Sequence, residues 1–264
     1  MSATSAADAR VEVRLDASWG IQGKLHGGYL LAHIVGAVLQ QADPDLHPHP
    51  LAASAVYVTP PAPAPATVRV ATLRAGRSVA TYRAILEQDG ASCVETLVTA
   101  GRLPAADAAP VFTAPGAAPP PTAALADCPV APRPRNVDRV PGVMNHVDMR
   151  LDPATTRWAH REPAGRAESR GWLQMLTQGW DPLLAQFILA DAPPPVTFDL
   201  GMFGWVPTLQ LQVLLRRQVR PGWQLVRQHA LVVGDGLLDE DCTLWDTDGR
   251  VTVQARQLAA YREG

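Results

Sequence analysis

Lysine is almost missing from this sequence: of its 23 basic residues only Lys24 is not an arginine. With abundant alanine and proline, this reads as a bias of coding composition and not as a functional signal. Cysteine is also sparse. Cys93, Cys128 and Cys242 are odd in number and far apart, which excludes a disulfide framework or a paired C-x-x-C zinc site and leaves three reduced thiols. Excess charge is absent, since a net charge of −2 gives no electrostatic reason to bind nucleic acid. No apolar run is long enough for a membrane span: the longest, 27–39, is interrupted by His33 and falls short of the ~20 residues required. Residues 1–10 lack the apolar centre of an export signal, so the expected location is cytoplasmic. What the chain does have is 47% hydrophobic against 18% charged residues over 264 positions, enough to bury a full core.

The elements fall into an order that recurs. Residues 11–15 alternate with a period of two, and 27–41 is an apolar stretch whose length predicts a helix. A Pro- and His-rich turn at 43–50 precedes strand candidates at 51–59, 67–73, 78–88 and 92–101, with Asp89-Gly90 as a hairpin signal between the last two. Nine prolines and eleven alanines then crowd positions 103–136, which marks a linker or a long surface crossing. Beyond it strands are expected at 144–151 and 168–176. Asp181-Pro182 opens a helix to Ala190, with Asp as N-cap and Pro at the first helical position. Pro193-Pro194-Pro195 stops it, and strands follow at 208–217, 223–233, 242–245 and 251–261. A second Asp-Gly hairpin, Asp248-Gly249, mirrors the first. The chain therefore divides into an N-terminal unit (1–102), a Pro/Ala-rich linker (103–136) and a C-terminal unit (137–264), an internal duplication of one helix-and-sheet unit.

Several residues make the pattern specific: His26-Gly27-Gly28-Tyr29-Leu30-Leu31-Ala32 and Gly76-Arg77-Ser78 in the first unit; Asp181-Pro182-Leu183-Leu184, Asp191 with Pro194, and Val206-Pro207-Thr208-Leu209 in the second. Gly222-Trp223, Leu244-Trp245-Asp246 and Arg256-Gln257-Leu258 complete it. Together they span nearly the whole chain and resemble the double hot-dog acyl-CoA thioesterases of the thioesterase II type. The resemblance implies an α+β fold of two tandem hot-dog units, each a long helix wrapped by an antiparallel sheet, with the acyl thioester between the halves. Gly27 and Gly28 suit that role, because glycine admits a ligand close to the backbone and amides at a helix start can hold an oxyanion. Glycine there equally permits tight helix-to-sheet packing.

In that family an aspartate, a Ser or Thr, and a glutamine position and activate water. The resemblance puts the aspartate at Gln210, in Thr208-Leu209-Gln210, and the hydroxyl residue at Leu231, eight positions after Trp223. Only the glutamine is retained, as Gln257. An amide orients water but has no proton-accepting pKa near neutrality, so Gln210 cannot be the base. His229, two positions before Leu231 and expected on the same strand face, could accept a proton instead. Asp181 reads first as an N-cap and otherwise as a group facing the site; His26 either binds the thioester or caps its helix. Arg74 and Arg77 are candidates for coenzyme A phosphates.

Weaker signals are set aside on physical grounds. Ala167-Glu-Ser169-Arg-Gly171 lacks the strand-to-helix context of a nucleophile elbow. His47-Pro-His49 reads as a surface loop without a metal-ligand set. Asp235, Asp239, Glu240 and Asp241 read as a solvated hairpin end and not a calcium loop. Trp172, Trp180, Trp205 and Trp223 line an acyl or aryl pocket or fill core. The sequence leads to a thioesterase-like enzyme that uses activated water without a covalent intermediate, with Gln210, Thr208 and Gln257 orienting water and Gly27 and Gly28 holding the oxyanion. No cofactor, metal or nucleic acid is expected, and the partner is an acyl-CoA or carrier-bound acyl thioester. The alternative is a non-catalytic binder of acyl or hydrophobic ligands. A hot-dog hydratase would need an Asp and His dyad at a helix start, and none stands out. The two units already form a pseudo-dimer, to which a homo-oligomer would be an addition.

Overall fold

The computed structural model describes residues 8–21, 23–131 and 142–261; positions 132–136 of the expected linker lie outside this range. Strand β1 (Ala9–Arg14) and a short hairpin, β2 (Gly20–Ile21) with β3 (Lys24–Leu25), lead into helix α1 (Gly27–Leu39). Four strands follow: β4 (His49–Tyr57), β5 (Pro65–Ala75), β6 (Val79–Gln88) and β7 (Ala91–Gly101). The second half holds β8 (Val147–Leu151), β9 (Glu168–Met175), α2 (Pro182–Ala190), β10 (Thr208–Leu215), β11 (Gln224–His229), β12 (Val233–Gly234), β13 (Leu237–Trp245) and β14 (Val251–Ala260). All but the small hairpin join one antiparallel sheet in the order β1-β5-β6-β7-β4-β10-β14-β13-β11-β9-β8, with β12 beside β13. Pairing of β4 with β10, from Ala52 opposite Leu214 to Val56 opposite Gln210, makes the two halves one surface. Each strand buries one face, as period-two alternation requires.

Helix α1 is apolar almost all round, and nine of its thirteen residues are buried, so it runs through the core and not along the surface. It packs antiparallel on α2: Gly28 meets Phe187 and Asp191 at the end of α2, and Gly36 meets Leu184 near its start. Gly28 is required by this approach, since a Cβ there would sit 2.4 Å from the Phe187 carbonyl oxygen. The Asp89-Gly90 turn holds both residues at positive φ, 52° and 80°, matching the twist of the hairpin it closes.

The Pro-rich segment crosses the outer face of the second half's sheet. With few N–H groups of its own, it is held by side chains that donate to its carbonyls: Trp245 Nε1 to Ala117 (2.7 Å), Trp172 Nε1 to Ala123 (3.1 Å) and Arg170 to Pro121 (2.7 Å). Two elements depart from the periodicity. The strand expected over 223–233 stops at His229, and that expected over 242–245 begins at Leu237. The acidic run is therefore mostly strand: Asp235-Gly236 makes the turn, while Asp239, Glu240 and Asp241 lie in β13, and Glu240 is 2% exposed. The expectation of a solvated hairpin end is corrected for that residue. Among the described residues no helix is long and apolar enough to cross a membrane.

Candidate active site

A line of polar side chains crosses the buried face of the second half's sheet. Thr208 Oγ1 donates to Gln257 Oε1 at 2.8 Å, and Gln257 Nε2 donates to Glu240 Oε2. Glu240 Oε1 accepts the backbone N–H of Val196 at 2.8 Å. The three prolines at 193–195 have no N–H, so Val196 carries the first donor after Ala192, and a buried donor must be paired. Burial raises the pKa of Glu240, its hydrogen bonds oppose the shift, and the charge of Asp191 adds to it. Beside Glu240 and Gln257 lies a crevice too tight to admit a water molecule, bounded also by Leu211, Gln228 and Cys242. Gln228 donates to the Pro194 carbonyl at 3.5 Å.

The start of α1 is tied to the end of α2 through Asp191, the C-cap of α2, whose charge is felt at Glu240. Asp191 Oδ2 accepts the Gly28 amide at 2.7 Å and lies 3.3 Å from His26 Nε2. His26 Nδ1 accepts from the Tyr29 amide at 3.2 Å, which caps α1 and leaves the proton on Nε2, within 2.9 Å of the Asp191 carbonyl. Burial raises the pKa of Asp191, against the opposing pull of His26 and Gly28. An Asp and His pair thus does form at a helix start, from residues 165 apart in sequence. Both imidazole nitrogens already have partners, however, so the pair has none left to activate water for a hydration.

The structure joins Thr208 with Gln257 and, at the α1 start, His26, Gly27 and Gly28 with Asp191, and leaves the other expected residues outside both groups. Gln210 is exposed on the outer face. A bulge between Thr208 and Gln210 turns Thr208 inward and sends Gln210 outward, which breaks the same-face relation that a two-residue spacing implies. His229 shares the outer face of β11 with Leu225 and Arg227, while Gln224, Val226 and Gln228 point inward; burial and then the Arg227 charge lower its pKa. Leu231 lies beyond the strand, 74% exposed. Asp181 caps α2, accepting Leu183 N–H at 2.8 Å, and so sits at the opposite end of that helix from Asp191, about 15 Å away at 1.5 Å per residue. Arg77 and Arg74 are exposed near the Gly76 turn, which His47 ties to the segment after α1. Trp172 serves the Pro-rich crossing, and Trp180 packs edge-on against Trp19, Tyr29 and His33. Ser169 is a buried residue inside β9, with strand on both sides.

The profile of the acyl-CoA thioesterase N-terminal domain matches residues 15–101, and that of the acyl-CoA thioesterase C-terminal domain matches residues 125–261. The chain belongs to the acyl-CoA thioesterase family. It is a thioester hydrolase of the double hot-dog fold. Among solved structures it is similar to a Thermobifida fusca YX protein assigned to thioesterase II, at 28% identity and TM-score 0.85 over 96% of this chain and 92% of that one. A hot-dog protein of unknown function from Alicyclobacillus acidocaldarius shares the fold at 19% identity and TM-score 0.77, covering 98% and 96% of the two chains. An uncharacterized Mycobacterium tuberculosis protein is 31% identical over 271 residues, 94% of this chain and 89% of its own.

Within this thioesterase only one half carries the polar line. Gln257 lies eight residues past the hairpin glycine Gly249 and pairs with Glu240; eight residues past Gly90 the first half has Val98, opposite Tyr82. Sequence reasoning missed Glu240, Asp191 and Gln228 as parts of the candidate site. A signal for Glu240 existed, because Leu238, Cys242 and Leu244 are buried at two-residue spacing and Glu240 stands in the same row. Asp191 was marked only by its place with Pro194 in the family pattern, without a role. The cysteines offer no nucleophile: all three are buried, and desolvation with the Glu240 and Asp191 charges pushes the Cys242 thiol far up. A thiol reagent is expected to label none of them in the native protein and all three after denaturation, and mass after labelling reads this directly.

Proposed function

We propose that this thioesterase hydrolyses acyl-CoA between the start of α1 and the polar line on β10, β13 and β14, using water activated by Glu240 and no covalent intermediate. One observation carries the reading: the glutamine that the family retains, Gln257, is hydrogen-bonded to a buried glutamate. Glu240 supplies the carboxylate that Gln210 lacks. Raised by burial and by Asp191, its affinity for a proton moves toward neutrality, which is the direction a general base needs. Thr208 and Gln257 orient the water, and each reinforces the polarity of the next because the hydrogen bonds run in one direction toward the carboxylate.

At the α1 start the Gly28 amide already serves Asp191. The oxyanion role therefore narrows to Gly27, the first helical residue, where the positive end of the helix dipole favours negative charge. Asp191 and His26 hold that helix end against α2 and are positioning residues. The crevice beside Gln257 is too narrow for an acyl chain as it stands, so its opening is part of substrate binding.

The test is release of CoA from short, long, branched and aromatic acyl-CoAs, with an acyl carrier thioester as a parallel arm and product acid confirmed by mass. Gln257→Ala is expected to lose about 10²-fold or more in kcat, on the scale of removing a group that orients the reacting water. Gln210→Ala, on the outer face, is expected to stay within about twofold of wild type, the ordinary range of surface changes. Equal loss in both variants would remove Gln257 from the site. Saturable acyl-CoA binding without turnover on any substrate would leave the ligand-binding alternative.

A further inference from the structure

Tyr57 ends β4, beside the Val56 and Gln210 pairing that joins the two halves. Its ring is half-buried, but its hydroxyl is sealed from solvent and has no hydrogen-bond partner among the described residues. That is unusual for a phenol, whose buried hydroxyl ordinarily finds an acceptor. The groups at the α1 start do not need it: Asp191 and His26 already have partners. The point where a Cβ on Gly27 would sit is 3.1 Å from the Tyr57 hydroxyl and 3.0 Å from Asp191 Oδ2. A glycine at 27 thus lets the hydroxyl reach the first turn of α1, and a side chain there would crowd it.

We infer that the Tyr57 hydroxyl is a catalytic hydrogen-bond donor to the thioester carbonyl oxygen, acting with the Gly27 amide at the α1 start. The inference rests on the hydrolytic reading above and adds a residue to it. The chemistry fits a donor that never gives up its proton. Burial, then the Asp191 charge, raise the Tyr57 pKa well above that of an ordinary phenol, so the hydroxyl stays protonated throughout the working range. As water adds to the carbonyl carbon, the π electrons move onto oxygen and the water's proton passes to Glu240. The Tyr57 hydrogen bond strengthens as that oxygen becomes anionic. Collapse re-forms C=O and breaks the C–S bond, and the departing CoA thiolate takes the proton from Glu240, giving the free acid and CoA thiol.

Tyr57→Phe keeps the ring and removes only the donor. It is expected to lower kcat about 10²- to 10³-fold, the usual effect of deleting one oxyanion donor, with KM changed little and Tm not lowered. Two non-hydrolysable ligands separate this from the hydrolytic reading: a 2-oxoalkyl-CoA ketone, which keeps the carbonyl, and an alkyl-CoA thioether, which lacks it. The variant is expected to bind the ketone about 3- to 10-fold more weakly than wild type and the thioether equally well. Unchanged ketone affinity, or the same loss on both ligands, overturns the assignment even where wild type turns over. If wild type releases no CoA, the hydrolytic reading fails, and the ketone and thioether affinities alone decide Tyr57 by the same criterion.

Discussion

Replacing Glu240 by glutamine is expected to reduce acyl-CoA hydrolysis about 10²- to 10⁴-fold, the range that a positioned general base contributes. The side-chain shape is kept and one oxygen can still accept the Val196 amide, so the loss reports the missing charge and base. The pH profile supplies the sign. A base works ionised, and the Glu240 pKa is raised by burial, so wild-type kcat/KM should fall with decreasing pH along a limb lying above the ordinary glutamate range. Glu240→Gln should lack that limb. Stability moves the other way. The folded protein binds this proton more tightly than the unfolded chain, so Glu240 contributes a loss of stability as pH rises from its unfolded to its folded pKa. The variant should show a flatter Tm against pH over that window. An unchanged rate with an unchanged acid limb would remove Glu240 from the chemistry and leave it as the acceptor for Val196.

The largest stability effect is expected at Gly28. An alanine Cβ there would stand 2.4 Å from the Phe187 carbonyl oxygen and 2.9 Å from Asp191 Cβ, with His26 Cε1 at 3.1 Å. The first of these is backbone and cannot rotate away, so α1 and α2 must separate by roughly an ångström to regain ordinary contact distances. Overpacking of this kind costs about 1–3 kcal/mol and occasionally more. For a chain of this size that is a fall in Tm of roughly 2–12 °C. The shift would also stretch the hydrogen bond from Gly28 to Asp191, so activity should fall with stability. Gly116→Ala, in the Pro-rich crossing, adds a Cβ with nothing within 4 Å and serves as the control, expected to melt with wild type. Matching melting curves for the two variants would show that the helix contact yields more readily than its geometry implies.

The side chains of the proposed site were legible to different degrees, for reasons that lie in β-strand physics. Gln257 and Thr208 were identifiable because they stand in a family pattern, and the structure joins them. Gln210 was placed by the family pattern and His229 by the rule that residues two apart share a face. That rule holds only where a strand is regular: a bulge at Leu209 turned Gln210 outward, and β11 presents Gln228, not His229, to the buried side. Glu240 was concealed by its company, an acidic run whose first residue does sit in a turn.

Sequence alone determined the duplicated unit, the two buried helices, the Asp-Gly hairpins and the Pro-rich crossing, because each follows from local properties: apolar periodicity, turn residues, and the lack of N–H groups. Only the tertiary structure decided the site. Asp191 reaches Gly28 because α1 and α2 run antiparallel. Glu240 reaches Gln257 because β13 and β14 pair in one register, and Tyr57 reaches the α1 start because β4 packs against α1 within the first half. Such contacts join residues up to 165 positions apart, and no local pattern records which distant partner will satisfy a buried polar group.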